Sequence, residues 1–302
     1  MAATTDQQPA VVLDVTVDTL IDELTARLSE EGTLERPEIE ARELLVALLD
    51  VPRWWPTLNR GAAIHREVRR RALGAAEKRA RGAPLAYCVR KAPFRRMILE
   101  VDERVLIPRP ETEQLVDVAM AAIGPGTGGI VVDVGTGSGA IALAVATDGR
   151  FDRVIATDVS LDALAVARAN ADLVRAALRC PVEFFHGSLL APVSSIRARL
   201  IVSNPPYVAT GEAATLPSSV RDWEPPVALF SGCDGLMATA RLVRQAPARL
   251  VPGGALALET DSRRAGAVAD LAKTDPRLTD VRVIKDLAGF DRFVVARRKE
   301  DG

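Results

Sequence analysis

"IVVDVGTGSGAIALA" (residues 130–144) decides the fold of this chain. It begins with a short, branched, apolar run, which is the pattern of a strand buried on both faces. Gly135, Gly137 and Gly139 follow, and glycines at this spacing let the backbone turn tightly and approach a ligand closely. A further apolar run then begins a helix. The stretch therefore predicts a strand, a glycine turn and a helix in succession.

Strand-like and helical patterns alternate from this stretch to the C-terminus. The strands are expected near residues 130–134, 153–157, 182–186, 199–203, 254–259, 280–285 and 292–297. The helices are expected at 138–147, 160–177, 235–250 and 262–273. This alternation is typical of an α/β fold with a mostly parallel sheet covered by helices on both faces. The last two strands have no long helix between them and are expected to form an antiparallel edge.

The N-terminal third has a different pattern. Residues 1–12 are expected to form a flexible tail, and apolar residues recur at helical spacing over 13–82, which predicts a small helical bundle. Apolar and polar positions alternate over 83–108, which predicts a hairpin that links two domains. The α/β domain is then expected over 109–302.

Composition and charge restrict the class of protein. The chain has 302 residues, of which 48% are apolar, and a formal net charge of −1, as in a globular protein with a large core. Its three cysteines are isolated and in no metal-ligand spacing, which favours reduced thiols and no metal site. A secretory signal and an apolar run of about 18 residues are both missing from the sequence. We therefore expect a soluble, cytoplasmic protein without a membrane partner.

Basic residues are concentrated between Ile64 and Lys91, where the acidic residues are Glu67 and Glu77. Such a run can bind nucleic acid. It is more often the solvated face of a helix, and we favour that interpretation, so nucleic acid is not expected as a partner.

Asp158 ends the second expected strand, about 20 residues beyond the glycine turn. A carboxylate at this point can accept hydrogen bonds from both ribose hydroxyls of an adenosine, as in sites for NAD or S-adenosylmethionine. The glycine turn alone does not separate these ligands, because with Ala140 it also satisfies a dinucleotide-binding fingerprint. Asp133 favours S-adenosylmethionine, because a carboxylate beside the turn suits a cationic ligand and repels a pyrophosphate.

Asn204, Pro205, Pro206 and Tyr207 follow the fourth expected strand, so they should face the same crevice as the glycine turn. Two consecutive prolines fix two φ angles and make a rigid corner. The side-chain oxygen of Asn204 and the carbonyl of Pro205 can both accept from one NH₂ group, while Tyr207 packs on the planar group that bears it. The alternative is a structural turn that asparagine begins. The nearby glycine turn favours the binding role.

These residues carry a family resemblance. The Asn-Pro-Pro-Tyr corner after such a turn resembles S-adenosylmethionine-dependent methyltransferases that modify planar nitrogen atoms of adenine, guanine or glutamine. "LIPRPETE" (106–113) and "DLAGFDRFVVARR" (286–298) narrow the resemblance to the PrmC/HemK family. This family methylates the glutamine side-chain amide in the Gly-Gly-Gln motif of peptide chain release factors. The similarity runs from about Ala83 to Arg298, behind the helical region.

The resemblance implies a Rossmann-like class I methyltransferase fold with a mostly parallel seven-stranded sheet, an N-terminal helical-bundle domain that recognises the protein substrate, and a linking β-hairpin. It implies S-adenosyl-L-methionine as methyl donor and S-adenosyl-L-homocysteine as product. The residues expected to bind the donor are Gly135, Thr136, Gly137, Ser138, Gly139, Asp158, Ser188, Leu189 and Asn204. Those expected to bind the glutamine are Arg109, Asn204, Pro205, Pro206 and Tyr207, and the expected catalytic ones are Asn204, Pro205 and Tyr207. The chain departs from the family's usual residues at Arg90, Ser188 and Thr260–Asp261.

The expected reaction is direct methyl transfer to a release factor by a monomeric enzyme. An amide nitrogen is a poor nucleophile because its lone pair is delocalised, so alignment by two acceptors matters more than a general base. Two alternatives stay open. One is an amino-methyltransferase of DNA or ribosomal RNA that binds nucleic acid through residues 64–91. The other is a non-catalytic donor-binding module that docks on a ribosomal or release-factor partner.

Overall fold

A computed structural model describes residues 15–30, 34–124 and 126–300. The tail expected over residues 1–12 lies outside these ranges. Within them, the helices are all too short or too polar to cross a membrane. The chain divides into two compact units, of which the first ends at Val89 and the second begins at Arg90.

The first unit is the helical bundle that the apolar spacing predicts. Its long helices are α1 (Val17–Ser29), α2 (Pro37–Leu49) and α4 (Arg66–Ala80). They pack through fully buried leucines on α1 and α2 and through buried alanines on α4. The shorter elements are β1 (Val15–Thr16), α3 (Trp55–Leu58), β2 (Ala63–Ile64) and α5 (Leu85–Val89). Strands β1 and β2 pair antiparallel. We did not predict them from the sequence, because two residues are too few to show the alternation of a strand.

The hairpin is shorter than the 83–108 segment predicted for it. It consists of β3 (Lys91–Phe94) and β4 (Met97–Glu100), paired antiparallel. Residues 85–89, which the prediction included in the hairpin, are helix α5 instead. In this helix Tyr87 and Val89 are buried, so alternate burial there reflects a single helical turn and not a strand.

The second unit contains all seven predicted strands in one sheet. They are β5 (Ile130–Val134), β6 (Arg153–Asp158), β7 (Val182–His186), β8 (Ala198–Ser203), β9 (Leu250–Glu259), β10 (Leu278–Lys285) and β11 (Asp291–Arg298). Their spatial order is β10-β11-β9-β8-β5-β6-β7. Strands β5 to β9 run parallel, and β11 pairs antiparallel with both β9 and β10, which confirms the predicted edge. Strand order reverses between β5 and β8, so a crevice forms between their carboxyl ends.

Helices cover both faces of this sheet. The longer ones are α6 (Pro110–Ile123), α7 (Ala140–Asp148), α8 (Leu161–Leu173), α11 (Met237–Gln245) and α12 (Ala265–Lys273), and the one-turn ones are α9 (Ser218–Arg221) and α10 (Pro226–Leu229). Val131 and Val154 join the core beneath α6 and α7, whereas Val132 and Ile155 join the core beneath α11 and α12. Adjacent strand residues belong to different cores because successive side chains point to opposite faces.

The helix predicted over 235–250 is interrupted. It ends at Gln245 and continues as a 3₁₀ turn, Ala246–Ala248, before β9 begins at Leu250. Pro247 has no backbone N–H and its ring collides with the carbonyl four residues earlier, so the α-helix cannot pass through it.

Candidate functional site

A cavity of about 380 Å³ opens at the carboxyl ends of β5, β6 and β8, where strand order reverses. Open α/β sheets bind their ligands at this point. The expected site residues that line it are Gly135, Gly137, Asp158, Ser188, Leu189, Asn204 and Pro206. The fold therefore brings four separate segments of the sequence to one cavity.

The glycine turn between β5 and α7 needs glycine because of its backbone conformation. Gly135 and Gly137 have φ angles of +71° and +54°, in the left-handed region that other residues rarely adopt. Nothing lies within 4 Å of the point where a Cβ atom of either residue would stand. Open space therefore lies over the turn. At Gly139 a Cβ would approach Ala167 at 3.3 Å, so this glycine lets the turn pack closely on α8.

Thr136 and Ser138 are buried within the scaffold of the turn. The Thr136 hydroxyl donates to Oδ2 of Asp133 over 2.6 Å. The Ser138 carbonyl accepts from Nδ2 of Asn170, on α8, over 2.9 Å. Asn170 also exchanges two hydrogen bonds with the backbone of Glu100 in β4, so the hairpin supports the turn from behind.

Asp133 is a fully buried carboxyl beneath the turn. Its Oδ2 accepts from Thr136 and from the backbone N–H of Ala142, at 2.6 and 3.1 Å. Its Oδ1 has no hydrogen-bond partner among the residues described. Burial raises the pKa of Asp133 to about 7, because desolvation disfavours the charged form. The group thus retains one acceptor atom without a partner beneath the turn.

Asp158 ends β6 and connects the turn to that strand. Its Oδ2 accepts from the backbone N–H of Gly137, and its Oδ1 from that of Ser160, both over 2.9 Å. Burial raises the pKa of Asp158 above its ordinary value, against the opposing effect of these hydrogen bonds. The backbone N–H of Val159 also lowers the pKa of this carboxyl by hydrogen bonding. A carboxylate can accept about four hydrogen bonds, so Asp158 retains acceptor capacity for a ligand.

Ser188 and Leu189 lie on the loop that follows β7. Leu189 has a φ angle of +52°, and its carbonyl accepts from the hydroxyl of Thr157 on β6 over 3.0 Å. This hydrogen bond holds the loop against the cavity that both residues line.

The Asn-Pro-Pro-Tyr corner follows β8. The Ser203 hydroxyl donates to the Val134 carbonyl over 2.6 Å and thereby joins the ends of β8 and β5. Nδ2 of Asn204 donates to Oγ1 of Thr112 over 3.1 Å and to Oε1 of Glu259 over 3.0 Å. Both hydrogens of the Asn204 amide are therefore used, and its Oδ1 remains as the acceptor for a ligand.

Thr112 and Glu259 are two site residues that we did not predict from the sequence. Thr112 lies in the first turn of α6, Glu259 ends β9, and the Thr112 hydroxyl donates to Oε2 of Glu259 over 2.8 Å. Glu259 is only 1% exposed, and burial raises its pKa to about 7. The signal in the sequence was an acidic residue at the carboxyl end of the apolar run "ALALE" (255–259).

Tyr207 keeps its phenol proton at neutral pH. Burial raises the pKa of Tyr207 to about 12, and the nearby carboxylate of Glu259 adds to this increase. The ring can therefore pack or donate but cannot act as a base near pH 7. Pro205, the other residue of the corner expected to be catalytic, is buried.

Arg109 forms an ion pair with Glu224 in the segment between β8 and α11. Glu224 is 2% exposed, and its Oε2 lacks a hydrogen-bond partner within the described ranges. Burial raises the pKa of Glu224, and Arg109 opposes this rise. The neighbouring residues Pro225 and Val227 line the cavity. Arg109 therefore fixes one wall of the cavity, in addition to any contact it makes with a substrate.

Comparisons with known proteins agree with this architecture. Residues 19–89 match the family described as PrmC N-terminal domain, and residues 112–217 match the family described as Methyltransferase small domain. A methyltransferase from Pyrococcus furiosus of known structure, 19% identical, superposes with a TM-score of 0.50 and covers 67% of this chain and 89% of its own. It supports the fold alone.

Curated relatives are similar over almost the whole chain. A release factor glutamine methyltransferase from Deinococcus radiodurans is 41% identical over 92% of this chain and 97% of its own length. Another from Moorella thermoacetica is 38% identical over 95% of this chain and 100% of its own length. These matches confirm the PrmC/HemK resemblance and the Rossmann-like methyltransferase fold. The chain belongs to the release factor glutamine methyltransferase family.

Proposed function

We propose that this protein transfers a methyl group from S-adenosyl-L-methionine to the side-chain amide nitrogen of the glutamine in the Gly-Gly-Gln motif of a peptide chain release factor. The observation that carries the proposal is the hydrogen bonding of the Asn204 side-chain amide. Its two amide hydrogens are bonded to Thr112 and Glu259, and its oxygen is available at the cavity that contains the glycine turn and Asp158. An aimed acceptor beside a donor site suits transfer to an N–H₂ group.

The residues of the cavity fit S-adenosylmethionine. The open space over Gly135 and Gly137 admits a ligand close to the backbone, and Asp158 retains acceptor sites for ribose hydroxyls. Leu189 supplies apolar surface beside a planar ring. The unpartnered Oδ1 of Asp133 suits a cationic ligand and disfavours a pyrophosphate. When bound, this donor supplies a methyl group on a positively charged sulfur.

The corner's role is to orient the nucleophile. Oδ1 of Asn204 and the carbonyl of Pro205 accept from the two N–H bonds of the glutamine amide, which aligns its nitrogen and raises the electron density on it. The prolines hold these acceptors at fixed positions because their φ angles are restricted. Tyr207 packs on the amide plane as a neutral phenol. The nitrogen would form its bond to the methyl carbon as the carbon–sulfur bond breaks, and the N–H proton that the methylated amide must lose would pass to water, so no protein base is assigned.

The first compact unit recognises the protein substrate. The residues proposed for donor and amide binding all come from the second unit, and the match to the PrmC N-terminal domain covers the first. A chain that begins at residue 90 should keep donor affinity and methylate a release factor poorly. Equal activity of the shortened and full chains would contradict this division.

The basic run of the first unit gives little support to nucleic-acid binding. Arg69 forms a bidentate ion pair with Glu23, and Arg79 forms another with Glu40. The N···O distances in both pairs are 2.8 Å. These arginines connect α4 to α1 and α2, so part of the run stabilises the bundle. A cytoplasmic location and a monomeric state stay predictions.

Labelled methyl transfer to purified release factor, ribosomes and DNA, measured side by side, tests the proposal. We expect label in the release factor alone, and its loss when the glutamine of the Gly-Gly-Gln motif is changed to alanine. Label in DNA or ribosomal RNA with an unmodified glutamine would reject the amide assignment. Donor binding without any transfer would favour a non-catalytic binding module.

A further inference from the structure

We propose that Glu259 and Thr112 are positioning residues, which hold the side-chain amide of Asn204 in the one orientation that presents its oxygen to the glutamine. The inference rests on the proposed function for the identity of the nucleophile. It gives α6 and β9 a role in the reaction, because they carry the two residues that orient the Asn204 amide.

The direction of each hydrogen bond fixes the amide. An ionised carboxylate only accepts, so the atom of Asn204 that lies 3.0 Å from Oε1 of Glu259 must be the nitrogen. The Thr112 hydroxyl gives its hydrogen to Oε2 of Glu259, over 2.8 Å, and can meet Asn204 only as an acceptor. Both neighbours of the amide therefore accept. A rotated amide would place its oxygen against two acceptors.

Burial makes this arrangement exclusive. Glu259 is 1% exposed and Thr112 is 5% exposed, so water has little access to replace a lost partner. Burying a carboxylate is costly unless it is paired and hydrogen-bonded. The Thr112–Glu259 bond joins α6 to β9 without any contribution from Asn204, and apolar side chains of both elements pack in the same core. A purely structural pair would not need to contact Asn204, but both residues accept hydrogen bonds from its amide.

Protonation of Glu259 should reverse the preference. A protonated carboxyl can donate towards Asn204 and then favours the rotated amide, whose NH₂ would face the NH₂ of the glutamine. Several charged or titratable groups surround Glu259 and tune this step. They are Glu111 on α6, Tyr207 on the corner and Arg292 on β11.

The active form is the deprotonated one, so kcat should fall as pH falls through the pKa of Glu259. That pKa is raised to about 7 by burial, which Arg292 opposes and Glu111 reinforces. The wild-type protein should therefore show a low-pH limb in kcat. The same limb in kcat/KM, which reports the free protein, should have its midpoint near 7.

Two matched variants test the positioning role at α6. Thr112→Val keeps the shape and removes the acceptor, and it should lower kcat about tenfold while leaving donor affinity and the KM for release factor nearly unchanged. Thr112→Ser keeps the hydroxyl and should retain most of kcat. Thermal unfolding should first show that the wild type and Thr112→Val are both folded. An equal kcat in these two proteins would then overturn the inference.

Glu259→Gln tests the titration. Glutamine offers one acceptor and one donor and does not titrate, so the low-pH limb should vanish and kcat at pH 8 should fall about tenfold. Persistence of the limb in this variant would overturn the inference. An independent readout is the Asn204 side-chain amide signal of ¹⁵N-asparagine-labelled full-length protein, identified by its loss in Asn204→Ala. It should shift between pH 8 and pH 6 in the wild type and stay constant in Glu259→Gln, whereas a constant wild-type signal contradicts the proposal.

The two levels of the proposal fail separately. A wild-type protein that does not label the glutamine rejects the proposed function. A wild-type protein that labels it, with Thr112→Val equally active, rejects only the positioning role.

Discussion

The ends of β5 and β8 are neighbours on one sheet edge and build opposite kinds of site. After β5 the backbone is glycine, the space above it is open, and Asp133 has one oxygen without a partner in the described residues. After β8 the backbone is held by prolines, and Asn204 has used both of its side-chain hydrogens. In the function proposed above, the first region makes room for the donor and the second aims a single acceptor atom. Donor binding and catalytic rate should therefore respond to different substitutions.

Asn204→Ala should have the largest effect. Removal of one positioned polar group at a reacting centre costs about 10²–10³ in rate, so kcat on a release factor should fall by that factor. Asn204 is also among the residues expected to bind the donor, but affinity for S-adenosylmethionine should change little, because we assign the donor's sugar to Asp158. Single-turnover label transfer and calorimetry measure the two quantities. Equal losses in both would remove the distinction between the regions.

Asp158→Ala should show the complementary pattern. Loss of hydrogen bonds to a charged group should weaken donor affinity by roughly 1.5–3 kcal/mol, or about 10- to 100-fold. The rate at saturating donor should change much less. Asp162→Ala, which removes an exposed carboxyl of α8, is the matched control. Unchanged donor affinity in a folded Asp158→Ala protein, or comparable binding of NAD, would reject the assignment.

Asp133→Asn should distinguish the effects of Asp133 and Glu259, two carboxyls that both have a pKa of about 7. In the folded protein the pKa of Asp133 lies above its ordinary value of 3.8, so the folded state binds the proton more tightly. Its contribution to stability is present at low pH and is lost as pH rises towards 7 and beyond. The variant should therefore reduce the fall in unfolding free energy between pH 5 and pH 8 by about 2.5 kcal/mol.

Urea unfolding at the two pH values measures this change. The low-pH limb of kcat should persist in Asp133→Asn, because we assign it to Glu259. An unaltered pH dependence of stability, or loss of the limb, would show that the two carboxyls are not independent.

Gly137→Ala should have the smallest effect. A non-glycine residue at the φ angle of +54° should lower the unfolding free energy by about 1 kcal/mol. Donor affinity should also weaken, since the added methyl group enters the open space over the turn. Gly211→Ala is the control, because nothing lies within 4 Å of its added Cβ and its φ angle is not in the left-handed region. Similar results for both variants would contradict a special conformation at Gly137.

The sequence predicted the sheet well because its strands are short apolar runs separated by turns. All seven strands and the antiparallel edge are confirmed. Helix bounds were predicted less well where a single residue ends a helix that the apolar spacing would continue. Pro247 does this in the helix predicted over 235–250. Residues 85–89 were misassigned because the alternation that predicts the hairpin lies at Phe94, Met97, Leu99 and Val101 and was extended to "LAYCV", an apolar run without alternation that forms a helical turn.

The predicted site residues are those with a local signature, such as a glycine turn or consecutive prolines. Thr112 lies within the quoted "LIPRPETE" segment and Glu259 ends an apolar run, but neither pattern reveals that the two side chains meet, because their contact spans 147 positions of the chain. Their orientation of Asn204 arises only from sheet order and the placement of α6. Ion pairs such as Arg109–Glu224, 115 positions apart, were hidden for the same reason.

The wide spacing of Thr112, Asn204 and Glu259 has a consequence for synthesis on the ribosome. The glycine turn and its supports on β4, β5, β6 and α8 lie within one contiguous stretch of the chain, which precedes β8 and β9 during synthesis. Asn204 gains both of its acceptors only after β9, the strand that carries Glu259, has emerged and docked beside β8. A nascent or prematurely terminated chain that ends before β9 would have the glycine turn without an oriented amide. Methylation should therefore begin only when the polypeptide is nearly complete.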